Sequence, residues 1–555
     1  MERDHKIRVY LCPFVVNILP MRNLLFIALL AAVLIGCTKP APDPGQVARE
    51  NVNTHRFATL FIAQDVRDAL SSPTGLENAV AFCKSNGITH VYLEAFRDNA
   101  YADRDTLIRA RDRFKSDGFL VSGCVTTTQV GKPSTGWGPL AGCYTDLPTQ
   151  EKLQKSFEYA AGIFDEIMID DFYLEDCTCL ACDLARTKKE VTIGEKTYPV
   201  SDDTWTNYHC TLMTYLSQDR VLGAAKKVNP KVQLIIKYPQ WYDAYPERGY
   251  DVGRETALFD KIYVGTETRD WTNEAHWGGT VQYEGYFLMR WLGDIGKEKT
   301  GGGWFDWLGT TPPGYIEQAR QTILAGAKES LLFCYGGINP DAKTQLPDSV
   351  PWPTPTGAAD IAALRTNIPE LISVAAEIQK RKPIGVPAYK PLNSPAGPEA
   401  RIFDYIGMIG IPLVPCHEFP TNAQAAFFSL HAYHDPNIVN ELNDLIRTGR
   451  LVFMTRNLAN LLQRTVNVDA QNVIALTLPE RLDYVMLQNQ QTVDQIRQRV
   501  LAPLNVNFQA PDRVALYLFE PNGWVVENFN DNAVDVILNG KSMKIPARGW
   551  RYEWK

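Results

Sequence analysis

The chain has 555 residues, with 56 basic and 63 acidic side chains and a formal net charge of −7. Because no long run of like charge stands out, the composition argues against a nucleic-acid partner. The length exceeds what one hydrophobic core usually holds, so two or three domains are expected. Twelve Trp and 24 Tyr residues provide flat amphipathic rings, which suit either sugar faces or a large core.

The N-terminal segment has the features of an export signal with a lipobox. Arg22 precedes the apolar run 24–35, and this run ends in the sequence Leu-Ile-Gly-Cys at residues 34–37. The run is too short to span a membrane, whereas export machinery reads a positive start, a short apolar stretch and small residues before the cut. Residues 1–36 are therefore predicted to be a signal peptide, for which Met21 is the fitting start.

This segment resembles that of bacterial lipoproteins, in which the Cys after the small residue becomes the lipidated N-terminus. The resemblance implies that Cys37 carries a lipid anchor, that the anchor attaches the protein to a membrane, and that the protein resides in the cell envelope. A plain secretory signal with an incidental Cys is the alternative. The next segment contains three prolines and a glycine without apolar periodicity, and residues 37–55 are predicted to be a tether.

Residues 56–380 alternate short apolar runs with stretches whose apolar residues recur at helical spacing. This alternation predicts parallel strands joined by helices, and eight such units favour a closed (β/α)₈ TIM barrel of the α/β class over an open sheet. The predicted strands are residues 58–62, 88–93, 119–125, 166–172, 232–238, 261–264, 302–306 and 330–335.

Proline-rich segments at residues 351–355 and 382–398 indicate a second boundary. Residues 381–505 then alternate strand-like and helix-like segments, which predicts a small α/β domain of the flavodoxin or amidotransferase type. Its sequence has neither a glycine-rich phosphate loop nor a nucleophile at a strand-to-helix turn. Residues 506–555 contain strand patterns only, and they are predicted to form a small antiparallel β-sandwich.

The fourth predicted barrel strand ends in two adjacent carboxylates, Asp170 and Asp171. Barrel enzymes place their chemistry at the carboxyl ends of the strands, so both residues are candidates for catalysis. Since neighbouring strand residues point to opposite faces, we expect one of them in the barrel mouth and the other in a supporting role. Capping of the next helix is the purely structural alternative.

Three further predicted strands end near acidic residues: Glu94, Glu267 and Asp306. Clustered like charges destabilise a fold unless function needs them, so the set indicates a catalytic site. Glycoside hydrolysis requires such a pair, because one carboxyl group protonates the leaving oxygen while a second attacks the anomeric carbon or activates water.

Substrate binding is predicted for Glu94 and for three residues of the same rim, Trp241, Arg269 and Trp304. Tryptophan rings stack on sugar faces, although a core position explains any single Trp equally well. The predicted partner is therefore a carbohydrate, and no organic cofactor is expected.

Three cysteines lie within six residues of a loop that follows the acidic pair: Cys177, Cys179 and Cys182. This spacing is typical of a thiolate metal site, and tetrahedral zinc needs one more ligand, for which Cys143 is our choice. Cys210 and His209 are the alternatives for that ligand. Disulfides are the competing explanation in an oxidising compartment. A fully coordinated zinc would be structural and would hold the loop without activating water.

A barrel with an acidic pair ending strand four, then C-x-C-x-x-C, with a lone Cys upstream, resembles family 42 of the glycoside hydrolases, the β-galactosidases. The resemblance implies that Asp171 stands where this family has its acid/base Glu and Asp170 where it has Asn. It also implies that Asp306 replaces the nucleophile Glu. The four cysteines that match the zinc ligands of the family are Cys143, Cys177, Cys179 and Cys182. Because Asp is a methylene shorter than Glu, either the carboxylate separation or the substrate differs from that of the β-galactosidases.

The domain order is also similar, because family 42 appends an α/β trimerisation domain and a small β-domain to its barrel. The resemblance therefore implies a trimerisation-like role for residues 381–505 and a homo-oligomer. Other barrel hydrolases, among them the α-galactosidase clan, use an Asp ending strand four and an acid on strand six. That arrangement would pair Asp171 with Glu267.

These patterns predict an exported, lipid-anchored glycoside hydrolase whose working pair is Asp171 with either Glu267 or Asp306. One alternative is a carbohydrate-binding lipoprotein that keeps the barrel but lacks turnover. Another is a scaffold protein that assembles through its α/β and β-sandwich domains.

Overall fold

Eight parallel strands close into a barrel in the computed structural model, which describes residues 43–269, 281–345, 357–477 and 489–555. The barrel strands in chain order are β1 (Arg56–Phe61), β2 (Ile88–Arg97), β3 (Leu120–Val125), β4 (Glu166–Ile169), β5 (Gln233–Tyr238), β6 (Lys261–Gly265), β7 (Thr300–Asp306) and β8 (Glu329–Phe333). Each strand pairs in parallel with the next, and β8 pairs with β1 to close the ring. The predicted barrel is confirmed, and every predicted strand overlaps its observed counterpart.

Burial on both faces explains why the barrel strands read as continuous apolar runs. All residues of β2 and of β8 are buried, as expected for parallel strands covered by helices outside and by side chains inside. Since all eight strands run in the same direction, their carboxyl ends meet at one rim, where barrel enzymes carry their chemistry.

A buried polar cluster lies at the opposite end of the barrel. Glu329, the first residue of β8, is fully buried and bonds Arg56 at 2.7 Å and His90 at 2.9 Å. Tyr92 and Tyr263 donate to its other oxygen, both at 3.0 Å. Burial raises the pKa of Glu329, but His90 and Arg56 outweigh it and hold that pKa well below its ordinary value. The carboxylate is satisfied on both oxygens and lies at the end of the barrel that serves stability.

Helices connect the strands around the outside of the barrel. Several of them begin at an N-cap residue, such as Asp103 or Asp146, whose side chain accepts the backbone N–H of the residue three positions later. The helices of this region are Ala63–Asp68, Pro73–Ser85, Arg104–Ser116, Leu147–Ala161, Leu180–Lys188, Trp205–Leu216, Gly223–Val228, Val252–Leu258, Glu284–Gly296, Pro312–Leu324, Tyr335–Ile338 and Gly357–Ile378. A π-helical turn, Ser217–Leu222, joins two of them into one rod. The strands Glu190–Ile193 and Lys196–Pro199 form a small hairpin after Leu180–Lys188.

Pro44–Glu50 forms a short helix within the predicted tether. Pro44 occupies the first helical position, where the missing N–H of proline is harmless. Ala48 is 1% exposed, and the helix packs against Gly357–Ile378. The helix escaped prediction because contacts with a segment far along the chain stabilise it, and its own sequence carries no apolar periodicity.

The second domain contains a five-stranded parallel sheet. Its strands in spatial order are Leu413–Cys416, Val386–Tyr389, Ala425–Phe428, Leu451–Thr455 and Val473–Leu476. In chain order this is the 2-1-3-4-5 arrangement of flavodoxin-like folds, which confirms the predicted α/β class of this domain. Its helices are Ile402–Met408, Ile438–Arg447, Arg456–Leu462 and Gln490–Leu501.

Two antiparallel sheets form the C-terminal domain. The strands of the larger sheet are Lys382–Ile384, Val514–Glu520, Gly523–Asn528 and Gly549–Glu553, and those of the smaller are Phe508–Gln509, Val534–Leu538 and Lys541–Ile545. The first strand of the larger sheet, Lys382–Ile384, precedes the α/β domain in the chain. It nevertheless pairs with residues 518–520, which follow that domain. The bounds predicted for the individual domains stay predictions.

The C-terminal domain is bonded to the outside of the barrel. Gln321, on the barrel helix Pro312–Leu324, donates to Glu527 at 2.6 Å and to the hydroxyl of Tyr517 at 2.8 Å. All three side chains are buried. Buried polar contacts of this kind fix the orientation of the two parts, since each lost partner would leave a polar atom unsatisfied.

The predicted signal peptide and Cys37 lie outside the described residues. Among the helices of the described ranges, none combines the length and the apolar character needed to cross a bilayer.

Candidate active site

A cavity of about 560 Å³ opens at the carboxyl-terminal rim of the barrel. Seven of the residues proposed from the sequence line it: Asp170, Asp171, Trp241, Glu267, Arg269, Trp304 and Asp306. The rim therefore gathers four acidic side chains in one solvent-accessible space, as the chemistry of glycosidic bond cleavage requires.

Asp170 and Asp171 both line the cavity, although strand alternation predicted only one of them there. The reason is that β4 ends at Ile169, so the pair belongs to the turn that follows, where the period of two no longer applies. The backbone N–H of Asp171 donates to Asp170 Oδ1 at 2.8 Å, and the hydroxyl of Tyr250 donates to the carbonyl of Asp171 at 2.8 Å. These bonds fix the turn.

The environments of the two carboxylates differ. Asp170 Oδ2 accepts from Arg97 at 3.1 Å and lies 3.0 Å from the hydroxyl oxygen of Thr126, and its side chain is 3% exposed. Although burial raises its pKa, Lys237 and Arg97 together hold the pKa of Asp170 below its ordinary value. The side chain of Asp171 is 15% exposed. Burial raises the pKa of Asp171 to about 8, with Lys237 opposing the shift and the Asp170 charge adding to it.

Lys237 lies at the centre of the site and was not singled out in the sequence. Its Nζ lies 2.8 Å from Asp171 Oδ2 and 2.7 Å from Glu267 Oε1. The same atom lies 3.6 Å from Asp170 Oδ1 and 4.1 Å from the ring centroid of Trp304. The sequence did contain one indication of its role, a lysine inside the apolar strand β5. A buried ammonium in such a strand needs acidic partners, so it indicates nearby carboxylates.

Glu267 and Asp306 share a second cation, Arg269. Arg269 Nη2 lies 3.0 Å from Glu267 Oε2, and Arg269 Nε lies 3.2 Å from Asp306 Oδ1. Asp306 Oδ1 also accepts the backbone N–H of Leu308 at 3.1 Å. Burial raises the pKa of Glu267 above its ordinary value, and Lys237 and Arg269 oppose that shift.

Asp171 and Glu267 are close enough to act on one bond. Both oxygens contact the same Lys237 nitrogen, so they are at most about 5.5 Å apart, which is compatible with a retaining mechanism and shorter than the separation that inverting glycosidases use. The four carboxylates and the cations Arg97, Lys237 and Arg269 form one alternating network across the barrel mouth.

Glu94 lies beneath this network and does not line the cavity. Its side chain is fully buried and bonds Arg97 at 2.8 Å and the backbone N–H of Ala63 at 2.7 Å. Thr126 donates to its other oxygen. Direct substrate contact by Glu94 stays a prediction, and its position favours a supporting role for Arg97.

Aromatic side chains form the outer wall of the cavity. Trp137 and Trp241 are partly exposed, with ring centroids 5.7 Å apart, and Phe172 lies 6.3 Å from Trp137. Trp304 is 2% exposed and lies against Lys237. Trp241 is therefore available to stack on a sugar ring, whereas Trp304 is largely covered. Neither Trp137 nor Phe172 was proposed from the sequence: Trp137 lies in a loop away from the predicted strand ends, and Phe172 is an apolar residue at the end of the predicted fourth strand.

Four cysteines form one cluster beside the site: Cys143, Cys177, Cys179 and Cys182. All four sulfur atoms lie within 4.8 Å of one another, with Cys143 and Cys182 at 3.6 Å and Cys179 and Cys182 at 3.7 Å. None of the cysteines in the described residues forms a disulfide. Thiolates around a zinc ion at about 2.3 Å are about 3.8 Å apart, so this spacing fits tetrahedral zinc.

The two alternative fourth ligands are engaged elsewhere. The ring nitrogens of His209 lie 3.2 Å and 3.0 Å from the backbone carbonyls of Cys177 and Glu247. Cys210 Sγ lies 3.4 Å from the carbonyl of Pro246. Cys143 is therefore the fourth member of the cluster, and it joins the loop before the helix Leu147–Ala161 to the loop after β4. A metal here would hold two loops beside Asp171.

Two solved structures resemble this chain in fold. A catalytic mutant of a family 42 β-galactosidase from G. stearothermophilus matches with a TM-score of 0.59 and 11% identity, covering 90% of this chain and 98% of that chain. A β-galactosidase from Bacillus circulans sp. alkalophilus matches with a TM-score of 0.60 and 9% identity over the same shares. The predicted resemblance to family 42 is confirmed at the level of the fold, appended domains included.

One curated relative is an uncharacterized protein of Saccharolobus solfataricus. It is 26% identical over 358 residues, which cover 60% of this chain and 55% of that protein. The chain therefore spans about half the length of the curated relative it matches.

A family model described as the catalytic domain of a probable glycosyl hydrolase matches residues 43–378. The matched range contains all eight barrel strands, the acidic cavity and the cysteine cluster. Since the match extends over more than half of the chain, this protein belongs to that family of probable glycosyl hydrolases.

Proposed function

We propose that this protein hydrolyses a glycosidic bond of a glycan or oligosaccharide, with Asp171 as the proton donor and Glu267 as the nucleophile. The observation that carries the proposal is the shared contact of both carboxylates with Lys237 inside one cavity. A carboxyl pair at this spacing matches the geometry of a retaining mechanism.

The two carboxyl groups have distinct roles in this mechanism. With a pKa of about 8, Asp171 is protonated at neutral pH and gives its proton to the glycosidic oxygen as the bond to the anomeric carbon breaks. An oxygen of Glu267 attacks that carbon and forms a glycosyl ester. In the second step Asp171, now a carboxylate, takes a proton from water, and the resulting nucleophile releases the sugar and regenerates Glu267.

Glu267 is preferred over Asp306 as the partner of Asp171. Asp306 accepts on one oxygen from both Arg269 and Leu308 and is held on the other by Arg269 as well. Asp306 shares Arg269 with Glu267, whereas Glu267 shares Lys237 with Asp171 directly. Asp306 is then the group that orients Arg269.

The experiment is product detection on aryl glycosides and oligosaccharides, with wild type, Asp171→Asn and Glu267→Gln in parallel. Wild type is expected to release sugar with retained anomeric configuration, and both variants are expected to lose turnover. A 2-deoxy-2-fluoro glycoside should leave a covalent adduct on a peptide that contains Glu267, found by mass spectrometry. An adduct on Asp306 would reverse the assignment, and inverted product would remove the nucleophile altogether.

A carbohydrate-binding protein without turnover is the second candidate. The observation in its favour is that each of the four cavity carboxylates contacts a cation, which also describes a structural network. Calorimetry on the same ligands separates the two functions, because binding without any product over long incubation supports the binding protein.

A structural zinc ion at the four-cysteine cluster is also part of the proposal. Four closely spaced thiols without disulfides support it, and the ion would order the loops on both sides of Asp171 without touching the substrate.

We further propose export and lipid anchoring through Cys37 to the cell envelope, on the basis of the lipobox at residues 34–37. Membrane fractionation of wild type and Cys37→Ser tests this, since the variant should leave the membrane fraction. Assembly into a homo-oligomer through the α/β domain stays a prediction that sedimentation of the purified protein tests.

A further inference from the structure

Four basic side chains line the cavity, and three of them are paired with acids: Arg97, Lys237 and Arg269. The fourth, Arg248, differs. Within the described ranges its guanidinium has neither an ion pair nor a hydrogen bond to a side chain or carbonyl. Its N–H donors are therefore available to a ligand that enters the cavity.

Arg248 packs against two tryptophans. Its guanidinium carbon lies 4.4 Å from the ring centroid of Trp137 and 4.4 Å from that of Trp241. The two ring centroids are 5.7 Å apart and their planes differ by 61°. The rings therefore lie on neighbouring sides of the guanidinium and leave the rest of it open to the cavity. Five donors in a fixed planar fork match the geometry of a carboxylate or a sulfate.

The backbone near Arg248 and Trp137 is fixed by hydrogen bonds to the loop that follows Asp171. The carbonyl of Arg248 accepts the N–H of Glu175 at 3.1 Å, and the N–H of Trp137 donates to Asp176 Oδ2 at 2.9 Å. Gly249 follows Arg248 with a φ of +81°, which glycine adopts without strain. The guanidinium is thus preorganised beside the turn of Asp171, and preorganisation reduces the entropy lost on binding.

The charges around Arg248 support a ligand of negative sign. Burial lowers the pKa of Arg248, and Asp176 and Glu247 oppose that shift only from a distance, because neither contacts the guanidinium. The cavity carboxylates Asp170, Glu267 and Asp306 each contact one of the other three cations. Arg248 is therefore the cavity cation that these carboxylates do not already engage, and an anion can reach it without displacing one of them.

We infer that Arg248 binds an oxyanion carried by the sugar, a uronate carboxylate or a sulfate ester, so that the substrate is an anionic glycan. Both groups present two coplanar oxygens to the fork of the guanidinium. Trp137 and Trp241 would then flank the charged sugar ring while Asp171 acts on the bond next to it. The inference rests on the proposed function and adds the substrate class to it.

Binding to matched pairs of ligands tests the inference, with Asp171→Asn protein as the non-hydrolysing probe. The pairs are uronic-acid oligosaccharides with their carboxyl-reduced forms, and sulfated oligosaccharides with their desulfated forms. In one pair the anionic member should bind about 10-fold to 100-fold more tightly, as expected for a charge-assisted pair of hydrogen bonds. The pair that responds identifies the oxyanion.

Variants of Arg248 connect that preference to the residue. Arg248→Gln in the same background should remove the preference and leave affinity for the neutral member unchanged, while Arg248→Lys should restore part of it because a single ammonium cannot bind in bidentate fashion. Arg254→Gln is the matched control, since Arg254 lies on the following helix, is 45% exposed and pairs with Asp251. An unchanged melting temperature in each variant verifies folding.

The outcomes separate this inference from the hydrolase proposal. Equal affinity for both members of every pair, or a preference that survives in Arg248→Gln, overturns the inference. If the wild type hydrolyses the neutral and the anionic member of every pair equally well, the hydrolase proposal stands and the anionic substrate does not. If Arg248 binds the anionic ligand tightly but the wild type shows no turnover, the anionic ligand class stands and the hydrolase proposal does not.

Discussion

The ammonium of Lys237 lies 2.8 Å from the carboxylate of Asp171, and it contacts Glu267 at nearly the same distance. A single buried cation thus bridges the pair to which we assign catalysis, while burial raises the pKa of both carboxyl groups. Lys237 opposes the rise in the pKa of each carboxyl group, and it holds them at a separation suited to a retaining mechanism.

Asp171→Asn is expected to lower kcat by about 10²-fold to 10⁴-fold, the usual contribution of a general acid. The amide keeps the shape of the side chain but has no proton to give, so the fold should be retained. Steady-state kinetics with circular dichroism checks both statements. Asp112→Asn is the control, because Asp112 is 59% exposed on an outer helix, and equal loss in the two variants would disprove the assignment.

The activity should have an alkaline limb near pH 8. Asp171 works in its protonated form, and its pKa is about 8, so kcat/KM should fall as the pH rises through that value. A profile of kcat/KM from pH 5 to pH 10 measures the limb. Activity that stays constant to pH 10 would show that Asp171 is not the acid.

The same pKa predicts a pH dependence of stability. A carboxyl group whose pKa is raised in the folded state binds more protons there than when unfolded, so its contribution is lost as the pH rises toward 8. Asp171→Asn removes this slope. Denaturant unfolding at pH 5 and pH 9 should therefore give a free-energy difference between variant and wild type that moves in favour of the variant at pH 9.

Lys237→Met should destabilise the protein by about 3–5 kcal/mol at pH 8, because it leaves two buried carboxylates without their cation. The loss should be smaller at pH 5. At pH 5 Asp171 is already protonated, since its pKa is about 8, and without Lys237 the pKa of Glu267 rises further, which favours loss of its charge as well.

A matched control accompanies this variant. Lys261 pairs with Glu166 at the barrel surface and its side chain is 39% exposed, so Lys261→Met should cost at most about 1 kcal/mol. Denaturant unfolding of both variants at the two pH values gives the comparison. A cost for Lys237→Met that is independent of pH would argue against the assigned charges.

Purified protein is expected to contain one zinc ion per chain and to lose stability when a chelator removes it. Cys182→Ser should abolish zinc binding, because four thiolates are needed to complete the tetrahedral site. Elemental analysis and thermal unfolding provide the readouts. Cys416→Ser should leave the zinc content unchanged, since Cys416 lies in the α/β domain. Thiol titration that finds the four cysteines oxidised would instead support disulfides.

The sequence predicted the barrel and most acidic members of the cavity for one physical reason. Parallel buried strands are readable as apolar runs, and the residues after them must meet at one rim. Asp171, Glu267 and Asp306 follow from that rule alone. The expectation that only one of Asp170 and Asp171 enters the barrel mouth was wrong. Strand β4 ends at Ile169, so both residues lie in the following turn and both line the cavity.

The cations of the site were not predictable in the same way. Lys237 is one charged residue in an apolar strand, and Arg248 is one basic residue in a turn. Neither has a periodic pattern, and their roles depend on neighbours from other strands. Arg269 was proposed as a substrate-binding residue, but its contacts with Glu267 and Asp306 became visible only in three dimensions.

Long-range pairing also explains what the sequence missed in the C-terminal half. Lys382–Ile384 belongs to the sheet of residues 514–553, so the α/β domain is an insertion within the β-domain and the two cannot be separated by one cut. A truncation after residue 380 would remove both domains, and it would leave Gln321 of the barrel without its buried partner Glu527. Barrel and β-domain are therefore expected to melt in a single cooperative transition.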